Sequence, residues 1–323
     1  MSKLISFDDV LIEPQFSMVR SRKDVDVSTE FLGLKLSLPI LNSNMDTVAS
    51  PALCRALSDY GTVGTLHRFW GIEENVEAFK DSYHFEGNPP IVSIGLGIVE
   101  AARALALYNE GARIFMLDVA HAANIAVVEM YNAFVKSYPD CKFVVGDFGS
   151  EQEIDEFLRR VDKQPDAIKV GIGVGSVCKT RNVTGVGNTA LSCLLNIKGK
   201  YEMPVILDGG VSEIGDIAKA LVAGADVVIS GSMFAGTDEA AGEVLGSGCR
   251  KIYRGSASLP SYKVQGKEAP WRTPEGTSIS VALKGPAIDV LNNINGGLRS
   301  SLSYVGAFNL AEFKAKAKLR ECK

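Results

Sequence analysis

The stretch MPVILDGGVSEIGDIAKALVAGADVVISGS (203–232) reads as one complete βαβ unit. Its two ends, MPVILDGG (203–210) and ADVVISGS (225–232), are short apolar runs rich in β-branched residues. Unbroken apolar runs bounded by Gly, Pro or Asp predict strands covered on both faces, and therefore parallel pairing. The segment between them, EIGDIAKALVAG, carries helical periodicity.

The same alternation extends toward the N-terminus. LPILNS (38–43), GTVGTL (61–66), PPIVSIG (89–95), ARIFMLDV (112–119), KFVVGDF (142–148) and DAIKVGIG (166–173) bring the predicted strands to eight. Between them lie the helical segments ASPALCRALSDY, NVEAFKDSY, IVEAARALALYNEG, NIAVVEMYNAFVKSYP, EQEIDEFLRRVD and TALSCLLNI, and an eighth helix is expected to begin near Asp238. Eight βα units predict an α/β protein with a (β/α)8 TIM-barrel fold, one domain over 1–323. A doubly wound sheet usually has fewer strands and wants a G-x-G-x-x-G after the first, where this chain reads LPILNSNMDTV.

Composition narrows the function. With 46% hydrophobic and 22% charged residues the chain reads as an ordinary soluble protein. A formal net charge of −4 argues against a nucleic-acid partner. No apolar run reaches the roughly 18 residues of a membrane span. The opening MSKLISFDDVLIEP has no apolar core of signal-peptide length, so a cytoplasmic protein is expected. The six cysteines and three histidines show no metal-binding spacing, which makes reduced thiols the expectation.

In such a barrel the chemistry gathers in the loops after the strands. DGGVS and SGSMFAG follow the last two strands, where this fold commonly holds phosphate, and make Gly209, Gly210, Gly231 and Ser232 phosphate candidates. Asp208 and Asp118 end strands, as a ribose acceptor, a base or a helix cap. Cys178 stands outside any apolar period, in GIGVGSVCKTRNVTGVG (171–187), near Lys179 and Arg181. There it is either a packed thiol or a nucleophile, whereas Cys54, Cys141 and Cys193 fit buried positions.

That cysteine run resembles the catalytic loop of the IMP dehydrogenase/GMP reductase family, GxGPGSxCTTRxxTGVG. The likeness continues through FDDVLIEP, NMDTV (44–48), LDVAHAAN, DGGV, GADVVISGSMFAG, PEGT (274–277), KGP and GGLRSSLSYVGA (296–307). It implies a barrel acting on a purine nucleoside monophosphate (GMP or IMP), with a catalytic loop near 173–187 and a mobile flap near 255–280. Cys178 would attack purine C2, with Thr180 and Glu275 moving protons. Ser43, Met45, Ser176, Asp208, Gly209, Gly210, Gly231, Ser232, Tyr253, Gly255, Arg272 and Gly276 would bind the nucleotide. Arg68, Asp118 and Ala120 would face the cofactor, NADPH or NADH in its place. The carbonyls of Gly173, Gly175 and Cys178 would hold a monovalent cation, K+, and the assembly would be a homotetramer.

The resemblance is closest to the reductase branch. Only about two dozen residues separate GTVGTL from PPIVSIG, so the inserted regulatory domain pair of the dehydrogenases has no room. Tyr262-Lys263 stands in the region of their Arg-Tyr pair, and WRTPEGT (271–277) resembles the reductases' Y-R-A-S-E-G-K. NADPH-dependent reductive deamination of GMP to IMP is the implied reaction; the alternative is an IMP dehydrogenase making XMP with NAD. Departures from the family pattern are Val174 for proline, Lys179 for threonine, Arg68 for lysine, and Ser256-Ala257 for methionine-serine.

Overall fold

All eight predicted strands form: β1 (Ile40–Asn42), β2 (Thr65–Leu66), β3 (Ile91–Ile94), β4 (Ile114–Asp118), β5 (Lys142–Phe148), β6 (Ala167–Val170), β7 (Val205–Asp208) and β8 (Val227–Ser230). The computed structural model describes residues 4–84, 86–246, 248–266 and 268–322, so residue 267 of the expected flap lies outside the described residues. The strands pair in parallel, in sequence order from β2 to β8, and β8 then pairs with β1. Strand parity explains the unbroken apolar runs. Leu41, Met116, Val144, Ile206 and Ile229 meet in the barrel interior, while the alternate residues Ile40, Phe115, Val145, Leu207 and Val228 pack in the layer that includes the helices. A strand buried on both faces has no polar alternation left to show. An antiparallel hairpin, Thr29–Phe31 with Leu34–Leu36, adds Phe31 and Leu36 to the interior cluster. Lys142, the first residue of β5, donates to the Leu32 carbonyl at 2.6 Å, which fixes the hairpin at the end where the strands begin.

The helices of the outer layer are α1 (Pro51–Asp59), α2 (Ile72–Lys80), α3 (Ile98–Asn109), α4 (Ile125–Ser137), α5 (Glu151–Leu158), α6 (Ala190–Ile197), α7 (Ile214–Ala223) and α8 (Ala287–Val305). Short polar residues start several of them. Ser50, Asn124, Ser150 and Thr189 accept from the N–H groups of Leu53, Ala126, Glu153 and Ser192, satisfying donors that the first helical turn leaves open. Among the described residues no helix is long and apolar enough to cross a membrane.

One seam of the barrel is closed by a side chain. The neighbours β1 and β2 share no backbone rung; the Asn42 amide stands between them instead. Thr65 N–H donates to Asn42 Oδ1 at 2.8 Å, Asn42 Nδ2 donates to the Thr65 carbonyl at 3.0 Å, and the Thr65 hydroxyl donates to the Asn42 carbonyl at 2.6 Å. A carboxamide has the donor and acceptor of a peptide group, so it replaces a rung. Asn42→Leu would leave the buried Thr65 N–H and carbonyl without this partner, at about 1–3 kcal/mol each. The urea midpoint should fall by the equivalent of about 2–4 kcal/mol at unchanged slope; a wild-type midpoint would refute the seam's role.

The expected helix near Asp238 is corrected by the structure: the eighth helix starts at Ala287. The residues between form an antiparallel sheet of Val244–Leu245, Arg250–Arg254 and Ser278–Ala282, with a short helix at Leu259–Val264. The reason lies in Lys251. Its buried ammonium takes the carbonyls of Thr237, Asp238 and Ala240 at 2.8, 2.9 and 2.8 Å, which are acceptors that a helix would need. Glu239 instead accepts from the first N–H of α8, at 2.8 Å.

Candidate active site

Four strand ends converge on one ammonium. Lys169 sits on β6 between the outward Ile168 and Val170, so its side chain points into the barrel, where it is 1% exposed. Its Nζ lies 2.9 Å from Asp118 Oδ1 and 3.1 Å from Asp147 Oδ2, and it pairs with Asp208 as well. The three carboxylates come within 4.8 Å of one another, a spacing that would suit a metal ion, but the lysine occupies their centre. Burial alone would push the Lys169 amine down; the surrounding carboxylates outweigh it and hold the amine charged, well above its ordinary pKa. Burial also pushes Asp118 up, yet Lys169 and Arg68 prevail and keep it below the usual carboxylate range. For Asp147 burial wins, aided by the negative neighbours Asp208 and Asp118, and its carboxyl is raised well above that range.

Beside this floor lies the cysteine loop. After β6 the chain turns back so that Cys178 N–H donates to the Gly175 carbonyl at 3.0 Å, and a short helix covers Thr180–Thr184. Cys178 is half-buried, with its Sγ 3.2 Å from the Thr180 hydroxyl. Burial pushes the thiols of Cys54 and Cys193 up to about 12 and that of Cys141 up to about 11. The structure therefore places these three as packed thiols.

The flap closes on this loop through its backbone. Gly276 forms an isolated antiparallel bridge with Cys178 and a parallel one with Ser258. Lys179 N–H donates to the Glu275 carbonyl at 2.6 Å, and Thr277 N–H to the Val177 carbonyl at 2.9 Å. Glu275 N–H and Gly276 N–H both donate to Ala257, at 3.0 and 3.1 Å. At the flap's base Arg254 pairs with Asp46 at 2.6 Å, tying it to the loop after β1. Arg272 lies elsewhere on the flap, its guanidinium over the Tyr262 and Trp271 rings at 5.6 and 5.0 Å.

The glycine loops meet the same face. Gly209 and Gly210 have φ of +81° and +73°, the left-handed region that glycine reaches without strain. Gly209 N–H is already spent on the Ile229 carbonyl at 3.1 Å, whereas Gly210 N–H donates to no protein acceptor among the described residues. A side chain at Gly231 would collide with the Tyr253 hydroxyl at 2.6 Å and press on Met45 and Ser43 at 3.1 and 3.3 Å. So this glycine lets Ser43, Met45 and Tyr253 crowd together. Tyr253 is 3% exposed, its phenol pushed up by burial and hydrogen-bonded to Ser176. Ser232 donates to the Val211 carbonyl at 3.1 Å. Gly255 is packed near Val177 and Gly276.

Across the floor, Arg68 reaches the Asp118 carbonyl at 3.4 Å while its buried Nε has no protein partner. Ala120 is exposed just beyond. Gly173 and Gly175 flank Val174 in the cysteine loop, and the Gly175 carbonyl keeps one lone pair beyond its bond to Cys178 N–H.

Adjacent His67 is 2% exposed, accepts from Phe69 N–H at 3.1 Å and is held neutral by burial and by Arg103, down to about 3 from 6.5. The unfolded chain takes up a proton near pH 6.5 and the native one only near 3, so stability falls as pH drops through that window. Between pH 7.5 and 5 this group should remove about 2 kcal/mol. His67→Asn should flatten that slope in denaturant titrations at the two pH values; an unchanged slope would exclude His67 as its source.

Sequence reasoning missed Lys169, Asp147 and the Asp46–Arg254 pair. A signal for the first was present, since Lys169 is the one charge within the otherwise apolar run AIKVGIG. The flap pairing carries no local signal.

Comparison with known proteins places the chain in a family. Residues 4–323 match the family described as IMP dehydrogenase / GMP reductase domain. The chain is 33% identical to a GMP reductase of Phytophthora infestans, covering 97% of this chain and 89% of that protein. It is also 33% identical to a GMP reductase of Chromobacterium violaceum, covering 96% of each. An inosine-5'-monophosphate dehydrogenase of Methanocaldococcus jannaschii is 29% identical, over 98% of this chain and 92% of that protein.

Proposed function

The chain belongs to the IMP dehydrogenase/GMP reductase family, and on that premise we propose that it is a GMP reductase, converting GMP to IMP and ammonia with NADPH. Members of this family are oxidoreductases acting on purine nucleoside monophosphates. The observation that carries the finer reading is the bridge between Gly276 and Cys178, which sets Glu275 beside the cysteine loop while Thr180 lies 3.2 Å from the sulfur.

In this reading the Cys178 thiolate adds to C2 of the purine. The Thr180 hydroxyl gives its proton to the 2-amino group and Glu275 resupplies it, so ammonia departs and C2 stays joined to sulfur. The dinucleotide, when bound, supplies the hydride for that carbon. Sulfur then leaves with the electron pair of the C–S bond and IMP is released. Asp208 accepts from the ribose hydroxyls. Gly210, Gly231, Ser232, Ser176 and Tyr253 receive the phosphate, with the neutral phenol as a donor. Ser43, Met45, Gly209, Gly255, Gly276 and Arg272 complete the nucleotide's surroundings. The residues fit a dinucleotide: the orphaned Nε of Arg68 offers a buried donor, and Asp118 an acceptor held charged, with Ala120 at the rim. The carbonyls of Gly173, Gly175 and Cys178 would take K+, and the working form would be a cytoplasmic homotetramer.

The test follows the absorbance of reduced nicotinamide with purified protein. Loss of NADPH with GMP, and no NADH from IMP and NAD, is expected; NADH formation from IMP would overturn the reductase reading in favour of a dehydrogenase.

A further inference from the structure

We propose that Lys169 is a positioning residue that couples the two halves of the site, one ammonium fixing both the nucleotide-side carboxylate of Asp208 and the dinucleotide-side carboxylate of Asp118. The inference rests on the nucleotide and dinucleotide assignments made above. The geometry behind it is independent of them. Asp118 ends β4 and Asp208 ends β7, on opposite sides of β6, and the Nζ of Lys169 is the atom they share. Lys169 is 1% exposed, so water does not screen the exchange of its charge between partners.

Asp147 makes the arrangement responsive. It is the third carboxyl on the ammonium, at 3.1 Å, and its Oδ1 is buried with no partner. Three ionised carboxylates around one ammonium, with Arg68 the other cation acting on Asp118, would leave a partly buried negative charge uncompensated, which a protein interior resists. A proton on Asp147 relieves this, in line with its raised carboxyl, and leaves the ammonium of Lys169 divided between Asp118 and Asp208. Whatever draws one of these two carboxylates toward a ligand shifts the ammonium's share toward the other. A coupling of this kind is reciprocal by thermodynamic necessity.

The test is calorimetric titration of the full chain with GMP and, separately, with NADP+. Asp208→Asn should weaken NADP+, and Asp118→Asn should weaken GMP, each by about fivefold or more although neither residue is assigned to that ligand. In a Lys169→Met background the crossed losses should vanish, because no shared ammonium remains to shift, whereas in a Lys169→Arg background, which keeps the charge, they should persist in part. Lys169→Met strands buried carboxylates and can fail to fold; the two Asp→Asn variants keep the ammonium paired and carry the test alone, with thermal midpoints confirming their fold. Own-ligand losses without the crossed ones would overturn the coupling while leaving the functional assignment standing. A wild-type chain that binds neither ligand would overturn the functional assignment, and the coupling with it.

Discussion

Cys178→Ala is expected to lower kcat by at least about 10³-fold while leaving GMP affinity and the thermal midpoint at wild-type values. The sulfur is half-buried on a glycine-framed loop and its close polar neighbour is the Thr180 hydroxyl at 3.2 Å, so its removal opens no core cavity. The contrast with the packed thiols sharpens the expectation. Cys54 and Cys193 are each 1% exposed inside the main apolar cluster, and their alanine variants should cost stability while keeping turnover. Steady-state rates, calorimetry and mass spectrometry of a trapped adduct would check all three. An alanine variant at 178 that turns over within tenfold of wild type would end the covalent mechanism.

Glu275→Gln should cost about 10² to 10⁴ in kcat, the usual reach of a positioned proton donor, with little change in KM for GMP. The reason for the split is that residue 275 fastens the flap through main-chain atoms alone: its carbonyl accepts from Lys179 and its N–H donates to Ala257. Glutamine preserves both bonds, so the flap should close as before over a site that cannot pass on a proton. Thr180→Val should fall by a similar factor, and the double variant should be little worse than either, because residues acting in one relay are not additive. Independent, multiplying losses would mean that Thr180 and Glu275 serve different steps. Iodoacetamide labelling of Cys178 would show whether the thiol itself stays reactive in each variant.

Much of the barrel was legible because burial on both faces leaves an imprint that single strands cannot hide. KFVVGDF and its counterparts are apolar at both parities, and each appears as a strand within a few residues of its expected bounds. Glycine-rich loops after β6, β7 and β8 were legible for the related reason that chemistry in this fold sits where strands end. What escaped were interactions between residues far apart in the chain. Lys251 turns the carbonyls of Thr237, Asp238 and Ala240 away from helix formation, and nothing in DEAAGEV announces that. Asn42 reads as the polar end of an apolar run, yet it supplies a missing rung to Thr65. Gly276 meets Cys178 across almost one hundred residues of sequence, so the closed flap is a tertiary fact with no local cause.

The caged ammonium of Lys251 and the ion pair of Arg254 with Asp46 also decide where the lid can hinge. Both fasten the strand Arg250–Arg254, which is itself laddered to Ser278–Ala282, so the stem is riveted to the barrel rim. On the proposed function, a lid held this way would pivot above the stem, at Gly255 and Thr277, by breaking the few N–H···O=C hydrogen bonds that join residues 275–277 to the cysteine loop and to Ala257. On that reading, release of product and dismantling of the reacting constellation would be one motion, since the hydrogen bonds that hold the lid down are those that set residue 275 beside the cysteine loop.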